Sequence, residues 1–271
     1  MIGETLVPDS ISNPIRTGFH PDPSICRVGE DYYLVTSSFT WFPGIPVYHS
    51  RDLANWSLIG HALTNPKAID FNGMTDNDGI WAPTLRYHNG TFYLITTAHG
   101  CGGNFYMTAK NPAGPWSDPV WLKDAPGIDP SLFFDEDGRC YYTGNRWDFK
   151  SAWPAQCAVW MQELDLPKKM SGRKNEKHWP MAMRLMTKYA EGPHLYKIKD
   201  HYLLLMAEGG SDYNHAVTAL TAKSLWGPYV PCTVNPVLTH RHLGKNYPVQ
   251  SLGQCRSGTD TDRRLVCCVS R

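Results

Sequence analysis

The sequence predicts an all-β fold of the propeller type, and three observations carry that expectation. A short unit recurs four times, aromatic and turn-forming residues are both abundant, and no long stretch shows 3.6-residue apolar periodicity. The four units open with Asp22-Pro23-Ser24-Ile25, Ala82-Pro83-Thr84-Leu85, Asp129-Pro130-Ser131-Leu132 and Gly192-Pro193-His194-Leu195. After each opening comes a turn rich in Gly, Asn or Asp, then a strand of aromatic and aliphatic residues, as in Gly29-Glu30-Asp31-Tyr32-Tyr33-Leu34-Val35 and Asn89-Gly90-Thr91-Phe92-Tyr93-Leu94-Ile95. The repeated prolines are spaced by 60, 47 and 63 residues. Three units carry a second hairpin, marked by Asp52-Leu53-Ala54-Asn55-Trp56-Ser57, Ala113-Gly114-Pro115-Trp116-Ser117 and Leu225-Trp226-Gly227-Pro228-Tyr229. Two hairpins per unit make a four-stranded sheet, which is a propeller blade. A β-sandwich also uses short strands, but it gives no reason for one dipeptide slot to open every unit.

At 271 residues the chain is long enough for one large domain with a substantial core. With 26 Lys and Arg against 25 Asp and Glu it lacks the positive excess that nucleic-acid or anionic-membrane binding requires. The aromatic share of 12% and the 10 tryptophans suit two uses. Most such rings fill a β-sheet core, and a few can stack on the apolar face of a sugar. Met1 to Thr17 has neither the basic nor the apolar region of a secretory signal, and no stretch approaches a membrane span, so a cytoplasmic protein is expected. Cys26, Cys101, Cys140 and Cys157 are scattered and form no metal-type pair, which predicts free thiols in a reducing compartment. On the same ground the patterns Asn55-Trp56-Ser57 and Asn89-Gly90-Thr91 are not read as glycosylation sites.

The repeat has a chemical consequence. In a propeller the first strand of each blade lies nearest the axis, so equivalent positions converge at one end of the channel. The slot before the repeated proline holds Asp22 in the first unit and Asp129 in the third, and Glu191 stands one residue earlier in the fourth. Trp81 occupies the matching place in the second, where a ring can wall a pocket. Asp before Pro commonly starts a turn, but three carboxylates in register across a repeat point instead to paired acid and base work. Glycoside hydrolysis needs such a pair, one carboxylate acting on water and one protonated carboxyl on the leaving oxygen.

Several ordered motifs then resemble glycoside hydrolase family 43. They are Gly18-Phe19-His20-Pro21-Asp22-Pro23-Ser24-Ile25, Trp41-Phe42-Pro43-Gly44, Gly79-Ile80-Trp81-Ala82-Pro83, Gly127-Ile128-Asp129-Pro130-Ser131-Leu132-Phe133 and Glu191-Gly192-Pro193-His194-Leu195-Tyr196. Within the family the likeness is to β-xylosidases and α-L-arabinofuranosidases, and it runs from about Asn13 to about Gly253. The resemblance implies a five-bladed propeller and an inverting, exo-acting hydrolase that releases xylose from β-1,4-xylo-oligosaccharides. It implies Asp22 as general base, Glu191 as general acid and Asp129 as the carboxylate that tunes and orients the acid. Phe39, Trp41 and Trp81 are implied as walls of the sugar subsite, with a core role left open for Trp41. The substrate partner is a xylo-oligosaccharide or an arabinoside, and an arabinan-degrading enzyme is a same-class alternative. A propeller that binds sugar without cleaving it is the alternative from another class.

One stretch departs from the family. Its fifth blade opens Gly-His-Ala-Asp-Leu-Val, whereas this chain continues from Gly253 with Gln254-Cys255-Arg256-Ser257-Gly258. A single inserted base converts one reading into the other, which predicts a frameshift in the gene or its reported sequence. The expected organisation is therefore a catalytic propeller over 1–253, with its fifth blade incomplete, and a divergent tail over 254–271. Cys255, Cys267 and Cys268 in that tail, and His240 and His242 before it, are not read as metal ligands or nucleophiles. No metal or organic cofactor is required for the bond cleavage. The family's fifth-blade His, which lies where some members hold a cation, is absent here. A blade left unfinished exposes sheet edges, so weak stability and weak or absent activity are expected of the chain.

Overall fold

The computed structural model describes residues 10–147, 150–166, 169–170, 177–179, 187–259 and 265–270. Among the described residues there is no helix, and hence none long and apolar enough to cross a membrane. The first repeat folds as β1 (Ser24–Val28), β2 (Asp31–Val35), β3 (Gly44–Ser50) and β4 (Ser57–Leu63), antiparallel in that order. The second folds as β5 (Gly79–His88), β6 (Thr91–His99), β7 (Gly103–Ala109) and β8 (Val120–Trp121), again in chain order. In the third, β9 (Ile128–Phe134), β10 (Cys140–Arg146) and β11 (Ala158–Asp165) are followed by two short strands on β11, β12 (Lys169–Met170) and β13 (Lys177–Trp179). The fourth holds β14 (Glu191–Ile198), β15 (His201–Glu208), β16 (Ala216–Ala222) and β17 (Val230–Pro231). Antiparallel strands paired in chain order, with β13 on β11 the exception, make propeller blades, so the all-β fold of the propeller type expected from the repeat is the one observed.

Beyond the fourth blade, β18 (Gly253–Thr259) and β19 (Leu265–Ser270) form a two-stranded sheet. Residues 260–264 and the side chains of 254–271, those of Cys255, Cys267 and Cys268 included, lie outside the described residues. Contacts divide the chain into two compact units, Met1–Val120 with Arg256–Cys268 and Trp121–Cys255 with Val269–Arg271.

In the first unit the alternation along β2 turns Tyr32 and Leu34 inward, where they pack with Ile25, Tyr48 and Leu53. Blades one and two meet through Tyr33 and Phe92, whose rings stand edge to face at 5.1 Å. They also meet through the Leu85 N–H, which donates to Ser24 Oγ at 3.1 Å. In the second unit Phe133, Tyr141, Met161, Leu195, Leu204 and Leu220 belong to one apolar cluster between the third and fourth blades. Cys26, Cys101, Cys140 and Cys157 are free thiols, and burial pushes Cys26 and Cys157 up to about 11.

The second-hairpin motif has a structural reason in the first two blades. The Trp56 indole N–H donates to the Leu53 carbonyl at 2.8 Å, and that of Trp116 to the Pro112 carbonyl at 3.1 Å, so each ring clasps its own turn. Asp52 secures the first of these turns. It accepts from the N–H groups of Ala54 and Asn55, from the Asn55 side chain and from Ser50 Oγ. Partial burial alone raises the Asp52 carboxyl, but the bonds from Asn55, Ser50 and Ala54 outweigh it and hold the group at about 2, below its ordinary 3.8. A depressed carboxyl stabilises the fold above its unfolded pKa and loses that contribution as pH falls through the folded one. Asp52→Ala is therefore expected to lower stability near neutral pH by about 1 kcal/mol, solvent screening limiting the effect. The melting curves of the two proteins should converge as pH drops from about 4 to about 2. A difference unchanged at the acid end would show that the carboxylate charge is not its source.

Candidate active site

The repeated X-Pro slot is a β-bulge, and it has the same construction in all four blades. Trp81 pairs with Thr97 and Thr84 with Ile95, leaving Ala82-Pro83 opposite the single residue Thr96. Ile128 pairs with Asn145 and Ser131 with Thr143, leaving Asp129-Pro130 opposite Gly144. Glu191 pairs with Ala207 and His194 with Leu205, leaving Gly192-Pro193 opposite Met206. In the first blade Ser24 pairs with Val35 and the Ser37 N–H donates to the Pro21 carbonyl at 3.0 Å, leaving Asp22-Pro23 opposite Thr36. The first bulge residue is left-handed each time, with φ of 53° at Asp22, 46° at Ala82, 54° at Asp129 and 54° at Gly192. Gly192 adopts that backbone freely, and Asp tolerates it better than most side chains. Such a bulge kinks the strand and re-aims the side chains beside it, so a bulge at one register in every blade presents functional groups at equivalent places.

In the first unit Asp22 is half-buried and accepts a hydrogen bond at Oδ2 from Ser37 Oγ at 2.5 Å. Ser37 is itself buried, and its Oγ accepts from the Ala82 N–H at 2.7 Å. The bulge amide of the second blade is thus tied to the bulge carboxylate of the first through one hydroxyl. In the second unit the same tie is direct. The Gly192 N–H donates to Asp129 Oδ2 at 3.1 Å, which links a carboxylate only 3% exposed to the residue following Glu191. Asn145 braces this arrangement, accepting from the Ile128 N–H at 3.1 Å and donating to the Ala190 carbonyl at 3.4 Å. Burial together with the charge of Asp129 pushes the Tyr142 phenol up, and burial followed by the charges of Glu191 and Asp129 does the same to the Cys157 thiol. Both groups therefore stay neutral beside the two carboxyls.

The aromatic candidates sort cleanly. Phe39 and Ile80 exchange backbone hydrogen bonds, at 3.0 Å each way, which sets Phe39 beside Trp81. Trp41 is 61% exposed, so the core role left open for it is not the one it has. Phe19, not singled out among the sequence candidates, is 60% exposed, stacks on Phe39 with centroids 5.7 Å apart and meets Trp41 edge-on at 6.0 Å. Its place three residues before Asp22 was the available signal. Ser37 was missed as well, because a serine after a strand carries no mark of what it bonds.

These carboxylates and rings stand in a chain whose residues 11–269 match the model of the Glycosyl hydrolases family 43. The chain belongs to that family. It is 47% identical over 249 residues to a xylosidase/arabinosidase of Butyrivibrio fibrisolvens, covering 89% of this chain and 47% of that protein. It is 46% identical over 257 residues to a non-reducing end α-L-arabinofuranosidase of Bacteroides ovatus, covering 93% of this chain and 46% of that protein. Among solved structures, the xylan β-1,4-xylosidase of Bacillus halodurans superposes with a TM-score of 0.86 at 39% identity, over 97% of this chain and 51% of that one. The chain thus spans about half the length of the curated relatives it matches. The family 43 match passes Gly253 and takes in most of the tail.

Membership in family 43 raises the question of a bound cation. Among the described residues no group of three or more His, Cys, Asp or Glu is placed to hold a metal ion. His240, near the end of the fourth repeat, has its Nδ1 2.7 Å from the Val249 carbonyl oxygen.

Proposed function

We propose that this chain is the catalytic part of an inverting, exo-acting glycosidase that removes xylose from β-1,4-xylo-oligosaccharides, with α-L-arabinofuranosides as a second substrate class. The observation that carries the proposal is the bond from the Gly192 N–H to Asp129, which couples a buried carboxylate to the backbone of Glu191. The names of the family relatives support the two sugars. In this reading Asp22 takes a proton from a water molecule as the water oxygen bonds to the anomeric carbon. The glycosidic carbon–oxygen bond breaks, and Glu191 gives its proton to the departing oxygen. Asp129 holds the acid in place and, by its charge, keeps Glu191 protonated. Solvent then returns a proton to Glu191 and removes one from Asp22. Phe39, Trp41, Phe19 and Trp81 supply apolar faces for the sugar. The proposal includes a five-bladed ring in which β18 and β19 are the formed part of an incomplete fifth blade.

Ser37 has a defined part in this scheme. Its hydroxyl proton is shared with Asp22 and its lone pair with the Ala82 N–H, so it aims the base toward the water. Hydrolysis of an aryl β-D-xyloside by the 271-residue chain tests the whole reading. Turnover should vanish in Asp22→Ala. In Ser37→Ala kcat should fall about 10- to 100-fold, the worth of a hydrogen bond to a charged group, while KM changes little. Turnover surviving in Asp22→Ala would reject Asp22 as the base. A soluble, folded chain that binds xylobiose without cleaving it would make this a sugar-binding propeller, the reading that the departure at residues 254–258 favours.

A further inference from the structure

Trp81 does not stand alone at the end of β5. The imidazole of His99, the last residue of β6, lies flat on its indole, with centroids 3.8 Å apart and planes 4° from parallel. Register explains the meeting: β5 and β6 pair Trp81 with Thr97 and Gly79 with His99, which brings two residues eighteen positions apart to one end of the hairpin. His99 is in turn held from behind. Its Nδ1 is 2.9 Å from Asp78 Oδ1, and Asp78 Oδ2 accepts from both the N–H and the Oγ1 of Thr75, at 2.9 and 2.7 Å. The backbone and side-chain bonds from Thr75, followed by the bond from His99, hold the Asp78 carboxyl below the usual range, so it is an anion wherever the protein is folded near neutral pH.

The indole is fixed at one further point, and the Trp81 backbone at another. The indole Nε1–H donates to the Asn77 carbonyl at 2.8 Å, and the Trp81 carbonyl accepts from Thr96 Oγ1 at 2.7 Å. With the ring edge bonded and one face covered by imidazole, the opposite face is the one left for a sugar. A tryptophan at a half-exposed site has rotamers to choose among, and stacking pays only when the ring is already at the right angle. The imidazole is a flat spacer whose own plane is set by Asp78, and Asp78 by Thr75.

We propose that His99 is a positioning residue of the sugar subsite, holding the Trp81 indole at the angle a pyranose requires by stacking on it while bonded to Asp78. This rests on Trp81 being a wall of that subsite, and it assigns His99 and Asp78 no part in bond cleavage. His99 acts on ground-state and transition-state binding alike, so its loss raises KM and leaves kcat nearly unchanged.

The test compares the unaltered chain with His99→Ala, His99→Phe, Asp78→Asn and Trp81→Ala, reading KM and kcat on an aryl β-D-xyloside, and xylobiose affinity by calorimetry with Asp22→Ala added to each so that the ligand is not cleaved. His99→Ala should raise KM and weaken xylobiose binding about three- to tenfold, the worth of one aromatic pair, with kcat held within about twofold. His99→Phe, which keeps a flat ring on the indole, should restore most of the loss, and Asp78→Asn should fall between. If Trp81→Ala weakens binding and His99→Ala does not, the positioning role is overturned and the subsite survives. If Trp81→Ala has no effect, or the Asp22→Ala chain with Trp81 and His99 intact binds no xylobiose, the subsite reading fails and the inference fails with it. Equal losses in His99→Ala and His99→Phe would show that stacking is not the lever. Should His99→Ala fail to fold, the Phe and Asn variants carry the comparison.

Discussion

Replacing Glu191 with glutamine is expected to cut kcat/KM on xylobiose by about 10³- to 10⁴-fold while costing within about tenfold on 2,4-dinitrophenyl β-D-xyloside. The reason lies in the leaving group. A sugar hydroxyl departs as a strong base and must be protonated as the bond breaks, so the acid supplies roughly 4–5.5 kcal/mol of the barrier lowering. Dinitrophenolate is stable as an anion and leaves without that proton. On the proposed roles, loss of the base that activates water affects both substrates equally, so Asp22→Ala should be inactive on each. The contrast assigns the two roles separately, which a single loss of activity does not. Glutamine preserves the shape of the side chain, and the Gly192 N–H bond to Asp129 is made by backbone and is untouched by the exchange. Equal losses on the two substrates would remove Glu191 from the role of acid.

The largest structural effect is expected at Gly127. Its φ is +87°, and a β-carbon there would meet the Asn145 carbonyl oxygen at 1.6 Å. That oxygen belongs to backbone and cannot swing aside. Its residue is also bonded by its side chain to Ile128 and Ala190, at the base of Asp129 and Glu191. Gly127→Ala should therefore combine left-handed strain with overpacking, together about 2–5 kcal/mol. That corresponds to a fall in Tm of roughly 5–20 °C. Turnover should drop as well, because the displaced strand carries Asp129. Gly138→Ala is the control, with φ of +81° and nothing within 4 Å of the added carbon. It should lose only the backbone part, about 1–2 kcal/mol. Equal losses at the two positions would mean that the close approach to Asn145 relaxes at no cost.

Much of the architecture was legible because a propeller writes its repeat into the chain. The recurring X-Pro slot located every inner strand, and the second-hairpin motif located the outer strands of three blades. The third blade was harder to read, since β12 and β13 are only two and three residues long and bear no Trp-centred turn. The offset of Glu191 by one residue from Asp22 and Asp129 was visible in sequence, but its cause was not. Only the pairing shows that the slot is a bulge, with Glu191 on the last paired residue and the two aspartates on the left-handed one. Ala82 adopts the same backbone with nothing in its side chain to announce it. Trp41 illustrates the converse limit, because composition cannot tell a core ring from one that is 61% exposed.

By itself the sequence determined the fold class and the family and singled out Asp22, Asp129 and Glu191 as candidates, because spacing and residue type are properties of the chain in one dimension. Tertiary structure decided how those groups are held. Asp22 reaches the second blade through Ser37, Asp129 reaches the fourth directly through the Gly192 N–H, and Trp81 is backed by His99. Each of these is a directional contact of a few ångströms between residues fifteen to sixty-three positions apart. A hydrogen bond or a ring stack exists only when both partners are placed and oriented, and strand pairing and the bulge are what place them.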